Sequence, residues 1–390
     1  MKKQTIAWKL PVIAMLLAAM ALITVGCSSQ TTDEAADATD EATEAVAPEE
    51  DAAAEATQAA PAEEPAAAEE AVEPEVVSGT VTTTVDMTGY DEGATVRVWI
   101  PVAQDGEYQT ITDAGVEAET ADVAEITTDA QGNKMAYIEW GADADPATRI
   151  ATSSFHAART EALVRDMVEE GEIPSDIAEK YLGSSEMVDV DDPEVVALAE
   201  EITAGQDTVL GKAQAIYDWI YENMNRDNDV TGCGDGDVCR LIQPDVRVGK
   251  CTDIGSVFVA LCRASGVPAR EMFGVRMNDP DITGNQHCWV EFYLPGTGWV
   301  PCDPADVLKA VLNDELDKSS EEALAKKDYY WGGWDAKRVE LSQERDLTLE
   351  PAQAAGPLND FGYPYAEVDD EAVDFYSPDT FVYTISFEED

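Results

Sequence analysis

From Val77 onward the hydrophobic pattern alternates. Gly79 to Met87 interleaves Val with Thr, Thr95 to Ile100 reads Thr-Val-Arg-Val-Trp-Ile, and Lys134 to Trp140 alternates again after Gln131-Gly132-Asn133. Period-two runs broken by turn signals such as Asp105-Gly106 predict strands with one buried face, and a β-sandwich over 77–160. The period then lengthens. Asp191-Asp192-Pro193 opens a segment in which Val195, Val196, Leu198 and Ala199 recur at helical spacing, with acids in the first turn. Lys212 to Met224 predicts a second helix, with Ala213, Ile216, Tyr217 and Ile220 on one face. Thr252 to Ser265 predicts a third, burying Ile254, Val257, Phe258, Leu261 and Cys262 and stopped by Gly266 and Pro268. Alternation returns at His287 to Tyr293 and, after Pro295-Gly296-Thr297-Gly298, at Trp299 to Cys302, which predicts a hairpin. The order of elements places the chain in the α+β class.

The first 76 residues follow neither period. No aromatic residue stands between Trp8 and Tyr90, and no Lys or Arg between Lys9 and Arg97. Residues 28–76, rich in Ala, Glu, Asp, Thr and Pro, have nothing to bury and repel one another, which predicts an extended disordered linker. Residues 1–27 read as a secretory lipoprotein signal. Lys2, Lys3 and Lys9 precede the apolar run Leu10 to Val25, and Thr24-Val25-Gly26-Cys27 resembles a bacterial lipobox with Thr in place of the usual Leu. The run is short for a membrane span and no basic stop-transfer cluster follows it. Cys27 is therefore the expected lipidation site, holding the protein to the bacterial cell membrane on its extracytoplasmic side. An uncleaved N-terminal anchor is the alternative.

Charge narrows the partners. The net charge is −56, and 16 of the 80 acidic residues lie in the linker. The part that follows carries 64 acidic side chains against 21 basic ones, which argues against nucleic acid, since phosphate binding needs the opposite field.

Seven cysteines and two histidines remain to be placed. Cys251 lies at the start of the third helix, where the partial positive charge of the N-terminus favours a thiolate. His287 opens the hairpin. With the turn centred near Pro295, His287 falls opposite Asp303 on one face, and Cys288 opposite Cys302 on the other. Nucleophile, base and orienting carboxylate thus occur in chain order as Cys251, His287 and Asp303. Cys233 and Cys239 flank a flexible loop that can close as a disulfide or stay reduced, and Cys262, Cys288 and Cys302 are left unassigned. Neither CxxC nor HExxH occurs, so no metal or other cofactor is expected, and no G-x-S-x-G points to a serine hydrolase. Asp227, Asp229 and Asp235 crowd one loop, but Val238 stands where an EF-hand places its closing Glu, so a solvated acidic loop is expected there rather than calcium. His156 reads as structural, Asp335 with Arg338 as a structural ion pair, and Gln243 as a candidate second oxyanion donor beside the Cys251 backbone N–H.

Gly249-Lys250-Cys251-Thr252-Asp253 with Gly266-Val267-Pro268-Ala269-Arg270, and His287-Cys288-Trp289-Val290-Glu291 with Gly298-Trp299-Val300-Pro301-Cys302-Asp303-Pro304, resemble the motifs of bacterial transglutaminase-like proteins of the papain-like cysteine protease superfamily. Tyr330 to Val339 and Tyr363 to Val368 resemble the C-terminal part of such proteins. The resemblance implies a papain-like core, with the Cys-bearing helix packed on an antiparallel sheet that carries His and Asp. It also implies Cys251 as nucleophile, His287 as general base then acid, and Asp303 as orienter. The expected organisation is a signal peptide at 1–27, the linker at 28–76, a β-sandwich domain at 77–160, a catalytic domain at 185–312 and a C-terminal extension at 313–390 packed on the core. The expected activity is hydrolysis of peptide or amide bonds in envelope or extracellular peptides and proteins. Acyl transfer from protein glutamine to amines is one alternative, and a catalytically silent binding or scaffold lipoprotein is another.

Metabolic labelling with a fatty acid tests the anchor. Label is expected on the wild-type protein and lost in Cys27→Ala; equal labelling of both removes Cys27 as the attachment point.

Overall fold

Val76–Asp86 and Ile150–Thr160 each bury every second residue and pair antiparallel from Val76 opposite Thr160 to Asp86 opposite Ile150. The Val/Thr alternation in the first of these puts Val77, Val81 and Val85 inward, as period two requires. The computed structural model describes residues 73–390. The signal sequence, Cys27 and nearly all of the 28–76 linker lie outside the described residues.

Two sheets form the sandwich. The first runs in the order Val382–Glu389, Val76–Asp86, Ile150–Thr160, Gln109–Glu117. The second runs Glu371–Ala372, Tyr365–Val368, Val96–Val102, Lys134–Trp140, Val123–Thr128. Val81, Val98, Ile100, Ile138 and Phe155 meet between them. The C-terminal end of the chain thus supplies strands to both sheets, and Ile385 and Phe387 join the same core.

A third, fully antiparallel sheet has the order Gly298–Cys302, Gln286–Leu294, Ala269–Arg276, Arg338–Gln343. The helix Cys251–Ala264 packs against it, with every residue from Cys251 to Cys262 buried, and with Pro193–Ile202 and Val209–Asn223 alongside. The first helix begins where the sequence predicts it and the Cys251 helix one residue earlier, whereas the second starts at Val209, three residues ahead of the expected Lys212. Asp192 accepts from the Glu194 and Val195 N–H groups, Thr208 caps the second helix at Gly211, and Asp253 reaches back to the Lys250 N–H at 3.0 Å. The third sheet is not separate from the sandwich, because Val275, Val339 and Leu341 belong to the sandwich core.

The hairpin register differs from the expected one. Leu294 lies opposite Gly298, so Cys302 faces Val290 rather than Cys288. The turn centres on Gly296, which adopts the left-handed conformation at φ +94°, one residue later than Pro295. A shift of two residues leaves every side chain on its original face, so His287 and Asp303 still point the same way. It does separate Cys288 from Cys302: Cys288 pairs with Phe273 on the neighbouring strand instead.

Because Ile385 is 3% exposed in the core it shares with Val81 and Val85 of the strand Val76–Asp86, Ile385→Ala is expected to lower stability by about 2–5 kcal/mol in urea unfolding. Val382→Ala, on the same strand but facing outward, is expected to change it by about 0.5 kcal/mol or less. Equal effects would mean that the last strand does not complete the core.

Candidate active site

The local sequence explains how Cys251 is presented. Lys250 is extended, Cys251 is the first helical residue, and Asp253 folds back over the junction. Asp253 Oδ1 also accepts from the Gly236 N–H at 3.0 Å, while the Thr252 N–H donates to the Cys233 carbonyl at 2.9 Å. These bonds pin the loop of Gly232-Cys233-Gly234 across the start of the helix. Gly234 has φ +96°, and a Cβ there would lie 2.1 Å from Asp253 Oδ2, so the close approach needs glycine. The Cys251 N–H has no acceptor among the described residues.

His287, 3% exposed, stands at the start of the central strand. Its Nε2 lies 2.8 Å from Asp303 Oδ2 and 3.5 Å from Asp306 Oδ1, which leaves Nδ1 as the nitrogen for Cys251. The sulfurs of Cys233 and Cys288 both lie within 4.8 Å of Cys251 Sγ. Asp303 is held from three sides: it caps the helix Pro304–Asn313 by accepting from the Asp306 N–H at 2.9 Å, receives Nη1 of Arg338 at 2.7 Å, and donates its own N–H to the Tyr330 carbonyl at 3.1 Å. Arg338 is fully buried. Its Nη2 donates to Asp306 at 3.1 Å and also to Asp335, while Arg276 pairs with Asp306. Trp289 closes this cluster, with the Arg338 guanidinium 5.2 Å from its ring.

The electrostatics follow from this packing. Hydrogen bonds from Cys233, then Cys288, outweigh burial and, with His287 beside it, hold the Cys251 thiol well below the ordinary range. The bond to that sulfur pushes Cys233 up, and burial pushes Cys288 up. For His287, burial lowers the affinity for a proton and Arg276 opposes it, but Asp306 and Asp303 win and raise it above the usual imidazole value. Burial would raise Asp306, yet Arg276, His287 and Arg338 hold it well below the usual carboxylate range.

Cys251, His287 and Asp303, read from the sequence, are thus brought together. Gln243 is not part of the cluster. Its amide donates to Glu194 at 2.6 Å and to the Cys239 carbonyl at 3.1 Å, committed to the helix Val238–Leu241 and its neighbour. Cys233 and Cys239 are both free thiols: the first turns into the site, where Tyr363 Oη donates to its sulfur at 3.1 Å, and the second stays near Asp192. Asp227 accepts from the Asp229 N–H at 2.8 Å and Asp235 pairs with Arg240 at 2.7 Å, so the acidic loop is used in turns and an ion pair. His156 lies 3.1 Å from Asp390 at the sandwich edge. Asp335 and Arg338 do pair, but Arg338 also grips Asp303. Arg276, Asp306, Cys233 and Cys288 also line the site, although their sequence positions did not mark them as parts of it. For Asp306 alone a signal existed, three residues after Asp303 in the first turn of a Pro-initiated helix.

The sequence profile of the transglutaminase-like superfamily matches residues 196–304. An uncharacterized protein of Haemophilus influenzae is 34% identical over 312 residues, covering 74% of this chain and 84% of its own. The chain belongs to the transglutaminase-like superfamily. A protein-glutamine gamma-glutamyltransferase of Pseudomonas aeruginosa is 30% identical over 89 residues, which are 21% of this chain and 13% of that one. Among solved structures, a candidate cysteine protease of Cytophaga hutchinsonii aligns at a TM-score of 0.48 and 18% identity, covering 81% of this chain and 99% of its own. In this transglutaminase-like protein the profile spans the Cys251 helix and the hairpin and ends just after Asp303. Arg338 lies beyond it.

Arg338→Ala in the transglutaminase-like core leaves Asp303 and Asp306 short of a buried partner, and a loss of about 3–5 kcal/mol is expected in urea unfolding. Asp335→Ala, removing a carboxylate that is 21% exposed, is expected to lose clearly less. The reverse order would place the anchor of the network at Asp335.

Proposed function

We propose that this protein is a thiol hydrolase of peptide or amide bonds, with Cys251 as nucleophile, His287 as general base then acid, and Asp303 as the group that orients His287. The observation that carries the reading is the position of His287, bonded through Nε2 to a carboxylate fixed by a helix cap and an arginine, with its other nitrogen left for a thiol at a helix N-terminus.

The Cys251 thiolate adds to the amide carbonyl carbon, and the carbonyl π electrons move to oxygen. The resulting oxyanion meets the unpartnered Cys251 N–H. Gln286 Nε2, buried without a protein partner and lining the same cavity as Cys233 and Lys250, is the second donor in this reading. Collapse of the tetrahedral adduct breaks the C–N bond as the imidazolium of His287 gives its proton to the leaving amine. A thioester remains on Cys251. Water, deprotonated by His287, then attacks the thioester carbonyl, and the acid product leaves with the thiolate restored. Asp303 and Asp306 stabilise the imidazolium whenever His287 holds the second proton.

Acyl transfer to an amine uses the same steps with a different second nucleophile. The short match to the glutamyltransferase of Pseudomonas aeruginosa is what favours that second reading.

The test has two parts. Iodoacetamide is expected to modify Cys251 first, and at least 10-fold more slowly in His287→Ala; equal rates would mean that the imidazole does not activate the thiol. With a casein digest and a biotinylated amine supplied together, hydrolysis is expected to exceed amine incorporation by at least 10-fold. Predominant incorporation would replace the hydrolase with a cross-linking enzyme. Gln286→Ala is expected to lower kcat by about 100-fold with little change in KM.

A further inference from the structure

Three cysteine sulfurs, not one, meet at the start of the Cys251–Ala264 helix. The Sγ atoms of Cys233, Cys251 and Cys288 all lie within 4.8 Å of one another, and all three residues are buried. They come from a loop, a helix and a strand. Each also has a hydroxyl or a helix N-terminus beside it, and the Cys233 thiol faces the Gln286 carbonyl at 3.5 Å as well. Tyr363 Oη donates to Cys233 Sγ at 3.1 Å, Thr252 Oγ1 lies 3.0 Å from Cys288 Sγ, and Cys251 has the helix N-terminus and His287. Cys233 and Cys288 thus have contacts of their own besides their effect on Cys251.

We infer that Cys233, Cys251 and Cys288 form a three-sulfur binding site for a thiophilic cation such as Zn(II), which caps the nucleophile when it binds. Soft thiolate ligands select this class of ion. The geometry is close to what is needed: with zinc–sulfur bonds of about 2.3 Å, bound sulfurs stand roughly 3.8–4.0 Å apart, so the trio closes by at most about 1 Å. The move falls to rotation of the cysteine side chains, since the Cys233 backbone is pinned to the helix start and Cys288 is fixed in its strand. Thr252 and Tyr363 act as outer partners that aim the sulfurs. An ion reaches the site through a cavity of about 370 Å³ lined by Cys233, Lys250, Gln286, Tyr363, Tyr376 and Phe381. The neighbouring trio of His287, Asp303 and Asp306 is not a second such site, because Arg276 and Arg338 already occupy the cationic positions against its carboxylates. No sequence spacing announces the thiol trio, since 18 and 37 residues separate its members from Cys251 and the nearest CxxC pattern is absent.

The experiment uses the full-length, reduced, metal-free protein titrated with Zn(II). One equivalent is expected to bind and to protect Cys251 from iodoacetamide, and X-ray absorption at the zinc edge is expected to show three sulfur neighbours near 2.3 Å. Cys233→Ala and Cys288→Ala are each expected to weaken binding at least 100-fold, Tyr363→Phe about 10-fold, and Cys239→Ala not at all. Fewer than three sulfurs at the zinc of the wild-type protein, or unchanged binding in both Cys233→Ala and Cys288→Ala, would overturn the site. The wild-type absorption spectrum reads the ligand set without depending on whether a variant folds. Failure here is distinguishable from failure of the hydrolase reading, because ligation is measured without substrate and amide cleavage without metal.

Discussion

The site depends on a buried guanidinium. Arg338 has no solvent exposure and binds Asp303, Asp306 and Asp335, while Arg276 adds a second positive charge against Asp306. Removing such charges from water is expensive, and only close, well-paired geometry recovers the loss. Three carboxylates against two guanidiniums leave one negative charge over. A protonated His287, 2.8 Å from Asp303, balances the set, which is why its proton affinity rises despite full burial. With a Cys251 thiolate counted as well, the buried set carries one net negative charge, which the helix N-terminus and the neighbouring thiols help to offset. The charge state of Cys251 is therefore coupled to a salt-bridge network behind His287.

That network ties the transglutaminase-like core to the rest of the described residues. Arg338 starts the edge strand Arg338–Gln343, whose Val339 and Leu341 belong to the sandwich core. The sandwich in turn is closed by Tyr365–Val368 and Val382–Glu389. Between those two strands, Tyr376 and Phe381 reach the cavity beside Cys233. The segment that completes the sheets thus also shapes the approach to the thiol. Cleft and scaffold are built from the same stretch of sequence, so neither is separable from the other.

What the residues revealed in advance followed local rules. A Cys before an amphipathic helix and a His opening an alternating strand depend on nearest neighbours, and their positions were legible. The hairpin register was misread by two residues, yet the face assignment survived because strand periodicity is two. The pairing of Cys288 with Cys302 depended on exact register and did not survive. Arg276, Arg338 and Cys233 were invisible as site residues for a different reason: their partners lie far along the chain, and only tertiary packing brings them near. Cys233 shows the difficulty best. Its sequence neighbour Cys239 suggested a loop disulfide, but Gly232 and Gly234 at positive φ, with the clamp from Asp253, turn it the other way.

The thiols around Cys251 have two states that differ in protons and cation. With Cys233 and Cys288 protonated, a single thiolate at Cys251 has two neutral thiols within 4.8 Å of it and no like charge beside it. With their protons gone, three sulfur anions share a buried site, and the low dielectric there makes that arrangement untenable without a cation among them. The hydroxyls of Tyr363 and Thr252 serve either state, since each supports the outer sulfur to which it is bonded. The flanking thiols that lower the proton affinity of Cys251 also make it one vertex of a ligand triangle. In this fold, then, a more stable thiolate and susceptibility to soft cations arise from the same three side chains, and strengthening one strengthens the other.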